Sequence, residues 1–541
     1  MRRIVALAVF ILLLIPSAWF AWNNRDMPQF GRAHDDAIYY IAAKSLVDGH
    51  DYRIQSLPGA PYETKYPPVV PWLLTLAWLV NPRFPDNLVV ATAIQWAAIP
   101  LFLWLSLLWF RRVGLSPVQR WIAAALLAVS PYTVVMAAGI FTEVLFGAFL
   151  LASLIAFDEA RLSKRALPWA ALSGLFAGLA YLTRTAGIVA LVSGPLVFML
   201  WKKRREAAAF VLAMAPAVIG WMAWVKFRHT TASDLVSIYN TDYLAFQFLN
   251  VHLRDLGTVV WTNLGHLVAD MGALVFPQEI AGFVWQLIRM TTAAAIVMGL
   301  LRRRKDPVLL PFVALAGITM VELVVWHYPP NLRLMYPMVP LFTAGLVWES
   351  QHFWSLMRST WRRPERSQRV AGWMVGALAA GLLLTSIWMQ TSMTFGTLRE
   401  MRAENLRVNK ENLEAYRWIN QNVPADAMVL SINPALYLYT GRRTASLIIM
   451  PIYWYTADAK RTVAQFESLP VYASRLGLDY VYMHEVDYQL LAPDHMEEAL
   501  RAVQTNAGLR PLFQGGQGTL FQPTGAGELP YSMRLSHAPG Q

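Results

Sequence analysis

Apolar runs of about twenty residues, most of them closed by a knot of arginine and lysine, recur down this chain and leave it few ways to fold. Runs of that length cross a bilayer as helices; barrel strands would be about ten residues long and would alternate. The composition agrees: of 541 residues, 56% are hydrophobic and only 15% charged, which is too apolar for a soluble protein. The formal charge of +12 does not indicate nucleic-acid binding, because the basic residues cluster at the ends of apolar runs, as membrane topology requires. There is no cysteine, hence no disulfide framework and no thiolate zinc site.

The first run, Ile4 to about Trp22, follows Met1-Arg2-Arg3 and lacks a small-x-small cleavage site, so it is expected to stay as an uncleaved first span. Further spans are expected at roughly Phe84–Phe110, Val118–Ala137, Ile140–Phe157, Leu167–Leu182, Ile188–Leu200 and Ala207–Val225, then at Ile280–Leu301, Val308–His327, Met335–Trp348 and Val370–Met389, about eleven in all. Val69–Val80 is apolar but short and reads as a half-buried segment feeding the second span. With the N-terminus cytoplasmic, Arg111-Arg112, Arg161/Lys164/Arg165, Lys202 to Arg205, Arg302 to Lys305 and Arg358 through Arg369 all fall on the inner side. The loop carrying Asp35, the long loop Lys226–Glu279, the Tyr328–Arg333 loop and the tail after about Thr391 then face outward. In a cell envelope this is a multi-pass inner-membrane protein.

The tail reads differently. Glu400–Asn422 is charged and helix-patterned; Ala427–Ser431, Tyr437–Tyr439 and Leu478–Tyr482 are short apolar runs bounded by Pro, Asn and Gly, as strands are. This predicts a membrane domain over residues 1–395, with a first outer loop at 23–68, and a small α/β domain outside the membrane over 396–541. From about Gly515 the Gly/Pro/Ser-rich end is expected to fray.

Candidate chemistry sits in the first outer loop. Asp35 and Asp36 are adjacent carboxylates, and Ile38, Ile41, Ala42 and Leu46 follow at helical spacing, so the acids open an amphipathic helix lying on the membrane. Lys65-Tyr66-Pro67-Pro68 returns the chain to the apolar layer. Glu143 lies near the outer end of the fourth span, where an ionisable group is expensive and so marks a site. Arg184 and Arg333 break the inside bias of the basic residues. A solvated acid pair, a packing glutamate and snorkelling arginines are the bland readings of these residues taken singly. Together they place acids and bidentate arginines on one rim, a set suited to a lipid-linked phosphate that leaves while a carboxylate deprotonates an acceptor.

At these residues the chain resembles the GT-C membrane glycosyltransferases, nearest to the branch of polyprenyl-phosphate-mannose protein mannosyltransferases and the lipid A aminoarabinose transferase. Asp35-Asp36-x-x-Tyr39 with Lys65-Tyr66-Pro67-Pro68 is similar to that family's first outer loop. Thr142-Glu143 is similar to its acidic motif on the fourth span, and Gly178-Leu-Ala-Tyr-Leu-Thr-Arg184 to its Arg-ended run. Arg333 with Pro337 and Pro340 resembles its Arg-Tyr-x-x-Pro-x-x-Pro segment. The resemblance implies a hexosyl- or pentosyltransferase that takes a sugar from a polyprenyl-phosphate donor, with inversion, onto a lipid, glycan or protein. Asp35 would be the general base, Asp36 a second catalytic acid, and Lys65, Tyr66, Tyr39, Glu143, Arg184 and Arg333 the donor-phosphate and substrate contacts. The family has Glu where this chain has Asp36, and whether Asp36 serves as secondary base or metal contact stays open. No cofactor is expected; a divalent metal at His34 and the two acids is the alternative the residues leave. No nucleic-acid partner is expected. A transporter or flippase, or a polysaccharide ligase, handling the same lipid-linked sugars is the competing reading of the charged rim.

Overall fold

The structure, a computed structural model, describes residues 2–229, 234–248, 251–278, 280, 282–362 and 366–524. The apolar runs picked out in the sequence are all helical. They form α1 (Arg2–Asn23), then, after two short loop helices α2 (Asp35–Val47) and α3 (Val69–Val80), the run α4 (Leu88–Arg112), α5 (Pro117–Val129), α6 (Pro131–Val135), α7 (Glu143–Leu162), α8 (Ala166–Thr183), α9 (Val189–Leu200) and α10 (Arg204–Arg228). The expected third span is split into α5 and α6 because Pro131 cannot continue a helix hydrogen-bonded through Ser130. α11 (Leu235–Thr241) and α12 (Tyr243–Phe248) lie in the expected outer loop and send Val236 and Phe246 into the C-terminal core. The second half of the bundle begins, inside that same expected loop, with α13 (Leu256–Ala273), which joins it through Leu267 and Met271. It continues with α14 (Phe283–Arg302), α15 (Leu310–Val324), α16 (Leu332–Met335), α17 (Val339–Trp361) and α18 (Arg366–Ser392). Among the described residues six helical runs are long and apolar enough to cross a membrane, and α3, α5, α9 and α15 are shorter apolar helices.

Two helices fix the polarity of the bundle. α7 has Glu143 at one end and Asp158 and Arg161 at the other, where Arg112 donates to Asp158 at 2.9 Å and Lys203 Nζ donates to the carbonyl of Ala160 at 2.8 Å. α10 starts beside that basic end and finishes at the first loop, where Trp224 Nε1 donates to the Glu63 carbonyl at 2.9 Å and Arg228 to the Tyr62 hydroxyl at 3.1 Å. The basic helix ends and the Asp35 loop therefore lie at opposite ends of the same helices.

A π-helical turn at Met393–Thr397 carries α18 directly into α19 (Leu398–Asn422). The buried residues Val408, Asn412, Ala415, Tyr416 and Ile419 recur on one face of α19 and cover a five-stranded sheet of order β2-β1-β3-β5-β4. β1 (Val429–Leu430) pairs in parallel with β2 (Thr444–Ala445) and with β3 (Tyr480–His484); β4 (Leu509–Gly515) and β5 (Gly518–Pro523) form a hairpin that adds to β3 antiparallel. Two expectations are corrected here. Tyr437–Tyr439 is not a strand but lies in α20 (Ala435–Thr440), which starts after Pro434 and ends where Gly441 takes a left-handed φ of 72°. The chain past Gly515 does not fray at once, since β5 holds Gly518–Pro523; the remainder of that stretch, 525–541, lies outside the described residues, as do parts of the Lys226–Glu279 loop and of the Arg358–Arg369 cluster. The remaining helices are α21 (Pro451–Thr456), α22 (Ala459–Glu467), α23 (Leu469–Arg475), α24 (Glu485–Leu491) and α25 (Met496–Gln504).

The helix after the acid pair is a third correction. It forms where its spacing predicts, but it does not lie half-exposed on a membrane surface: Asp36 through Ala43 are all buried. Ile38 shares a core with Leu430 of β1 and Ile432 just beyond it, Tyr40 and Ile41 pack with α3, and Ala42 joins the bundle core. The cover for its outer face comes from the C-terminal domain, some four hundred residues away in sequence, which local periodicity cannot reveal.

Close helix packing has its own signature in this bundle. Gly299 of α14 and Gly345 of α17 meet so closely that a Cβ on Gly299 would run into the Gly345 carbonyl. Gly299→Val and Gly345→Val should each destabilise the protein by about 1–3 kcal/mol, seen as a lower melting midpoint in detergent. Gly317→Val, with nothing within 4 Å of the added carbon, should leave it unchanged. Equal melting in all three variants would mean that this backbone contact does not hold the two helices.

Candidate active site

The site is built around a buried carboxylate. Glu143 is the first residue of α7 and fully buried, and its Oε1 accepts from Arg184 Nη1 and from Arg333 Nε, both at 2.5 Å. Arg184 stands at the break between α8 and the 3₁₀ turn Thr185–Ile188 and also donates to Thr142 Oγ1 at 2.7 Å. Arg333 sits in α16, the single turn that follows Pro329-Pro330. A carboxylate at a helix start is favoured by the helix dipole, and two guanidiniums supply the rest of its compensation.

Arg333 also reaches Asp35, its Nη2 lying 3.6 Å from Asp35 Oδ2. Tyr66 Oη donates to Asp35 Oδ1 at 2.5 Å, and the Tyr66 ring packs edge-on against Tyr39 at 4.7 Å between centroids. Lys65 Nζ lies over the Tyr239 ring at 3.5 Å. The loop that presents Lys65 and Tyr66 is held by Glu63, whose Oε1 accepts both of their backbone N–H groups, at 2.8 and 2.9 Å. Asp35, Tyr39, Lys65, Tyr66, Arg184 and Arg333 together line one cavity of about 300 Å³. Its opposite wall is apolar, with Phe146, Leu150, Val189 and Leu315 contributed by the bundle helices. A carbon-lined pocket with a few convergent charged groups is the usual form of a ligand site.

The two adjacent acids fall into different environments. Asp35 lines the cavity with its side chain 25% exposed, while Asp36 is turned away and buried. Asp36 Oδ2 accepts the Gly31 N–H at 3.0 Å and Oδ1 accepts that of Ala37 at 2.9 Å. Burial pulls the Asp35 carboxyl up, but the Lys65 and Arg333 cations and the Tyr66 hydroxyl outweigh it and hold it below its ordinary value. Burial dominates at Asp36 and pushes it up to about 6 against its two backbone hydrogen bonds. Near neutrality Asp35 is therefore a fully ionised carboxylate facing the cavity. Lys65 is pushed down to about 8 by burial, against the pull of Asp35 and Glu63.

The structure thus brings Asp35, Tyr39, Lys65, Tyr66, Arg184 and Arg333 to one cavity, with Glu143 behind the two arginines, and leaves Asp36 outside it. Three residues escaped the sequence reading. Glu322, in α15, lines the cavity with a buried Oε2 that has no hydrogen-bond partner among the described residues; an ionisable group inside an apolar run is the signal that marked Glu143 and it applies equally here. Glu63 acts through backbone amides and Tyr239 through its ring face, and neither leaves a pattern in the sequence. Among the described residues no three His, Asp or Glu side chains gather as a metal-binding group; His34 lies 4.0 Å from Asp35.

A helical bundle, a long ordered loop between the first two spans and an appended α/β sheet define a polytopic membrane protein of the GT-C fold, the architecture that the sequence resemblance implied. Two solved structures carry the same fold. ArnT from Cupriavidus metallidurans bound to undecaprenyl phosphate is similar with a TM-score of 0.52 at 14% identity, over 94% of this chain and 97% of that one. The archaeal oligosaccharyltransferase AglB from Archaeoglobus fulgidus, in complex with an inhibitory peptide and a dolichol-phosphate, is similar with a TM-score of 0.52 at 13% identity, over 98% of this chain and 75% of that one. No family model and no curated protein matches the sequence.

The titration of Lys65 makes the cavity's positive charge depend on pH. Lys65 loses its charge as pH rises through about 8, so binding of a polyprenyl-phosphate probe to the purified protein should weaken between pH 7 and 9.5. The loss should be about tenfold or more, the worth of one charge-assisted contact. Lys65→Arg, which does not titrate in this range, should abolish the decline. An unchanged pH dependence in Lys65→Arg would assign the decline to another group.

Proposed function

We propose that this protein is a membrane glycosyltransferase that moves a sugar from a polyprenyl-phosphate donor to a lipid, glycan or protein acceptor on the extracytoplasmic face, with inversion at the sugar carbon. The observation that carries this reading is Asp35: an ionised carboxylate facing a cavity that also presents the cations Arg184, Arg333 and Lys65 and the phenols Tyr39 and Tyr66, a set suited to a phosphate. The donor's phosphate lies between Arg184, Arg333 and Lys65, and its prenyl chain leaves along the apolar wall toward the bilayer. The acceptor hydroxyl or amine gives its proton to Asp35 as its oxygen or nitrogen attacks the anomeric carbon. The bond from that carbon to the phosphate oxygen breaks on the opposite face, and the electron pair stays on the phosphate, where the arginines and Lys65 stabilise the added charge. Glu143 is a positioning residue that aims both arginines, and Asp36 holds the start of α2 through Gly31. The undecaprenyl phosphate and dolichol-phosphate found in the two solved structures of this fold support the class of donor.

The placement of the site outside the cytoplasm rests on charge. Arg112, Arg161, Lys203 and Arg302 share the helix ends opposite the Asp35 loop, and such ends stay cytoplasmic. A reporter fused after Arg205 or Arg304 should accordingly be cytoplasmic and one fused after Gln541 outside. A cytoplasmic C-terminal reporter would reverse the orientation.

Asp35→Asn keeps the side-chain volume and removes the base. It should insert normally, bind the lipid-linked donor and transfer roughly 100-fold or more slowly, within the range a positioned base contributes. Asp36→Asn should be milder, because Asp36 does not face the cavity. Arg184→Ala and Arg333→Ala should each cost about 1.5–3 kcal/mol in donor binding or leaving-group departure, with Lys rescuing only in part for want of the guanidinium fork. The measurement is turnover of radiolabelled donor by purified protein, with the acceptor identified beforehand from the glycolipids and glycoproteins of cells with and without the chain. Full activity in the Asp35, Asp36 and double variants would remove the transferase mechanism and favour transport of a lipid-linked sugar.

A further inference from the structure

A second polar cavity, of about 120 Å³, lies in the C-terminal domain, away from the bundle site. Its position follows from the sheet order. From β1 the chain moves to β2 on one side, then crosses to β3 on the other, so the order β2-β1-β3 places a topological switch point between β1 and β3. In open sheets with parallel strands, ligands bind in the crevice beyond the carboxyl ends of the strands at that point. Ser431 and Asn433 lie within three residues of the end of β1, and Asp487, in the first turn of α24, lies three residues past His484 at the end of β3; all four line the cavity, together with Arg32 from the first loop and Asn412 from α19.

The chemistry of the wall narrows the ligand. Arg32 shares the crevice with Asp487, whose carboxyl burial pushes up to about 7 against the pull of the His484 N–H and Arg32, so near neutrality the wall holds a cation and a carboxyl that can either donate or accept. His484 is committed at both ring nitrogens, Nε2 to Glu411 Oε2 at 3.0 Å and Nδ1 accepting the Val486 N–H at 3.2 Å, and so is not available as a metal ligand. Asn412 accepts from Tyr482 Oη at 2.7 Å through Oδ1, which leaves its NH₂ as a remaining donor. Ser431 and Asn433 are tied to each other, to Ala435 and to Phe30, and Asp487 Oδ2 accepts the His484 N–H. The Asn412 NH₂, Asp487 Oδ1 and the Arg32 N–H groups not held by Asn405, beside the carbon faces of Ile432 and Val486, match the hydroxyls and C–H face of a sugar ring. The volume is well below the roughly 300–1,000 Å³ of a drug-sized pocket and suits one ring, not a chain or a nucleotide.

We propose that this crevice is a second saccharide site, taking a single sugar ring such as one residue of the acceptor glycan, and that its occupancy is felt at the start of α2. The glycosyltransferase reading supplies the source of the sugar; the binding itself needs no turnover. The coupling is short. Asn433 Nδ2 donates to the Phe30 carbonyl at 3.4 Å, and the next residue, Gly31, is the cavity-lining residue whose N–H is held by Asp36. A ring seated against Asn433 therefore presses on the segment that orients Asp35-Asp36.

The test uses the full chain in lipid nanodiscs, free monosaccharides as probes and backbone hydrogen exchange as the readout, with ligand-detected NMR for affinity. At least one sugar of a panel of neutral hexoses, N-acetylhexosamines and pentoses should slow exchange in residues 431–433 and 484–487 and in 30–32. That protection should persist in Arg333→Ala, which opens the ion pairs of the first cavity. Asp487→Ala should weaken it about tenfold or more. Val486→Trp, which narrows the crevice without removing a polar group, should weaken it as much, and so covers the case in which Asp487→Ala misfolds. Absence of protection by every sugar in the panel, equal affinity in wild-type and well-folded Val486→Trp protein, or protection that vanishes in Arg333→Ala would each overturn the proposal. Because binding is read without catalysis, an inactive but sugar-protected protein would count against the transferase reading and not against this site.

Discussion

The arrangement depends on one buried charge. Glu143 carries a carboxylate into the interior of the bundle, and an uncompensated ion there would cost several kcal/mol. Its compensation comes from Arg184 and Arg333, which belong to segments about 40 and 190 residues further along the chain and meet on the same oxygen. Each segment is a place where a helix stops: the start of α7, the break after α8, and the turn α16 between α15 and α17. Regular helices offer no free backbone and few side chains to a ligand; interrupted ones do. The need to neutralise Glu143 draws these three interruptions together, and the cavity lies beside their meeting point.

A helix turns by about 100° per residue, and that is enough to give two adjacent, chemically identical acids separate roles. Asp35 points to Lys65, Arg333 and the Tyr66 hydroxyl and stays ionised; Asp36 points to the Gly31 amide and is pushed up to about 6. The downward shift of Asp35 bears on the proposed transfer. A base so well stabilised is intrinsically weak, so it gains a proton readily only if its stabilising cations are drawn elsewhere during the reaction. In the proposed transfer they are: the leaving phosphate takes on a charge beside Arg333 and Lys65 as the acceptor proton arrives at Asp35.

How legible this was in the sequence follows from the range over which each signal acts. The spans and their basic ends are set by the bilayer, which imposes run length and charge bias locally, and all of those runs are helical. Asp35 stood out as one of two adjacent acids opening a helix-patterned outer loop, and Glu143, Arg184 and Arg333 as charges where a membrane protein does not ordinarily keep them; the rule that marked Glu143, applied to Val308–His327, would have found Glu322. What was missed depends on contacts distant in sequence. The helix Asp35–Val47 looks amphipathic until the C-terminal domain covers its remaining face. Tyr437–Tyr439 is a short apolar run between Pro and Gly, as a strand would be, yet Pro434 and Gly441 delimit a helix too short to show its period. Glu63 serves two backbone amides, a role that no residue pattern announces.

The buried state of α2 changes what the C-terminal domain is for. Were the helix lying on a membrane surface, the domain could be a separate module, and the acids would be oriented by lipid. Instead Ile38 sits in the same core as Leu430 and Ile432, the Thr444 N–H donates to the Ser56 carbonyl at 2.6 Å, and Asn433 holds Phe30. The sheet and α11, whose Thr241 carbonyl accepts from Thr64 Oγ1, thus fix the Asp35 loop from one side, while Trp224 of α10, donating to the Glu63 carbonyl, fixes it from the bundle side. A base that must sit within hydrogen-bond reach of an acceptor proton tolerates little positional error. Clamping its helix between two independently packed cores is a way to obtain that precision in a loop of more than forty residues, and it makes the sheet a structural part of the site.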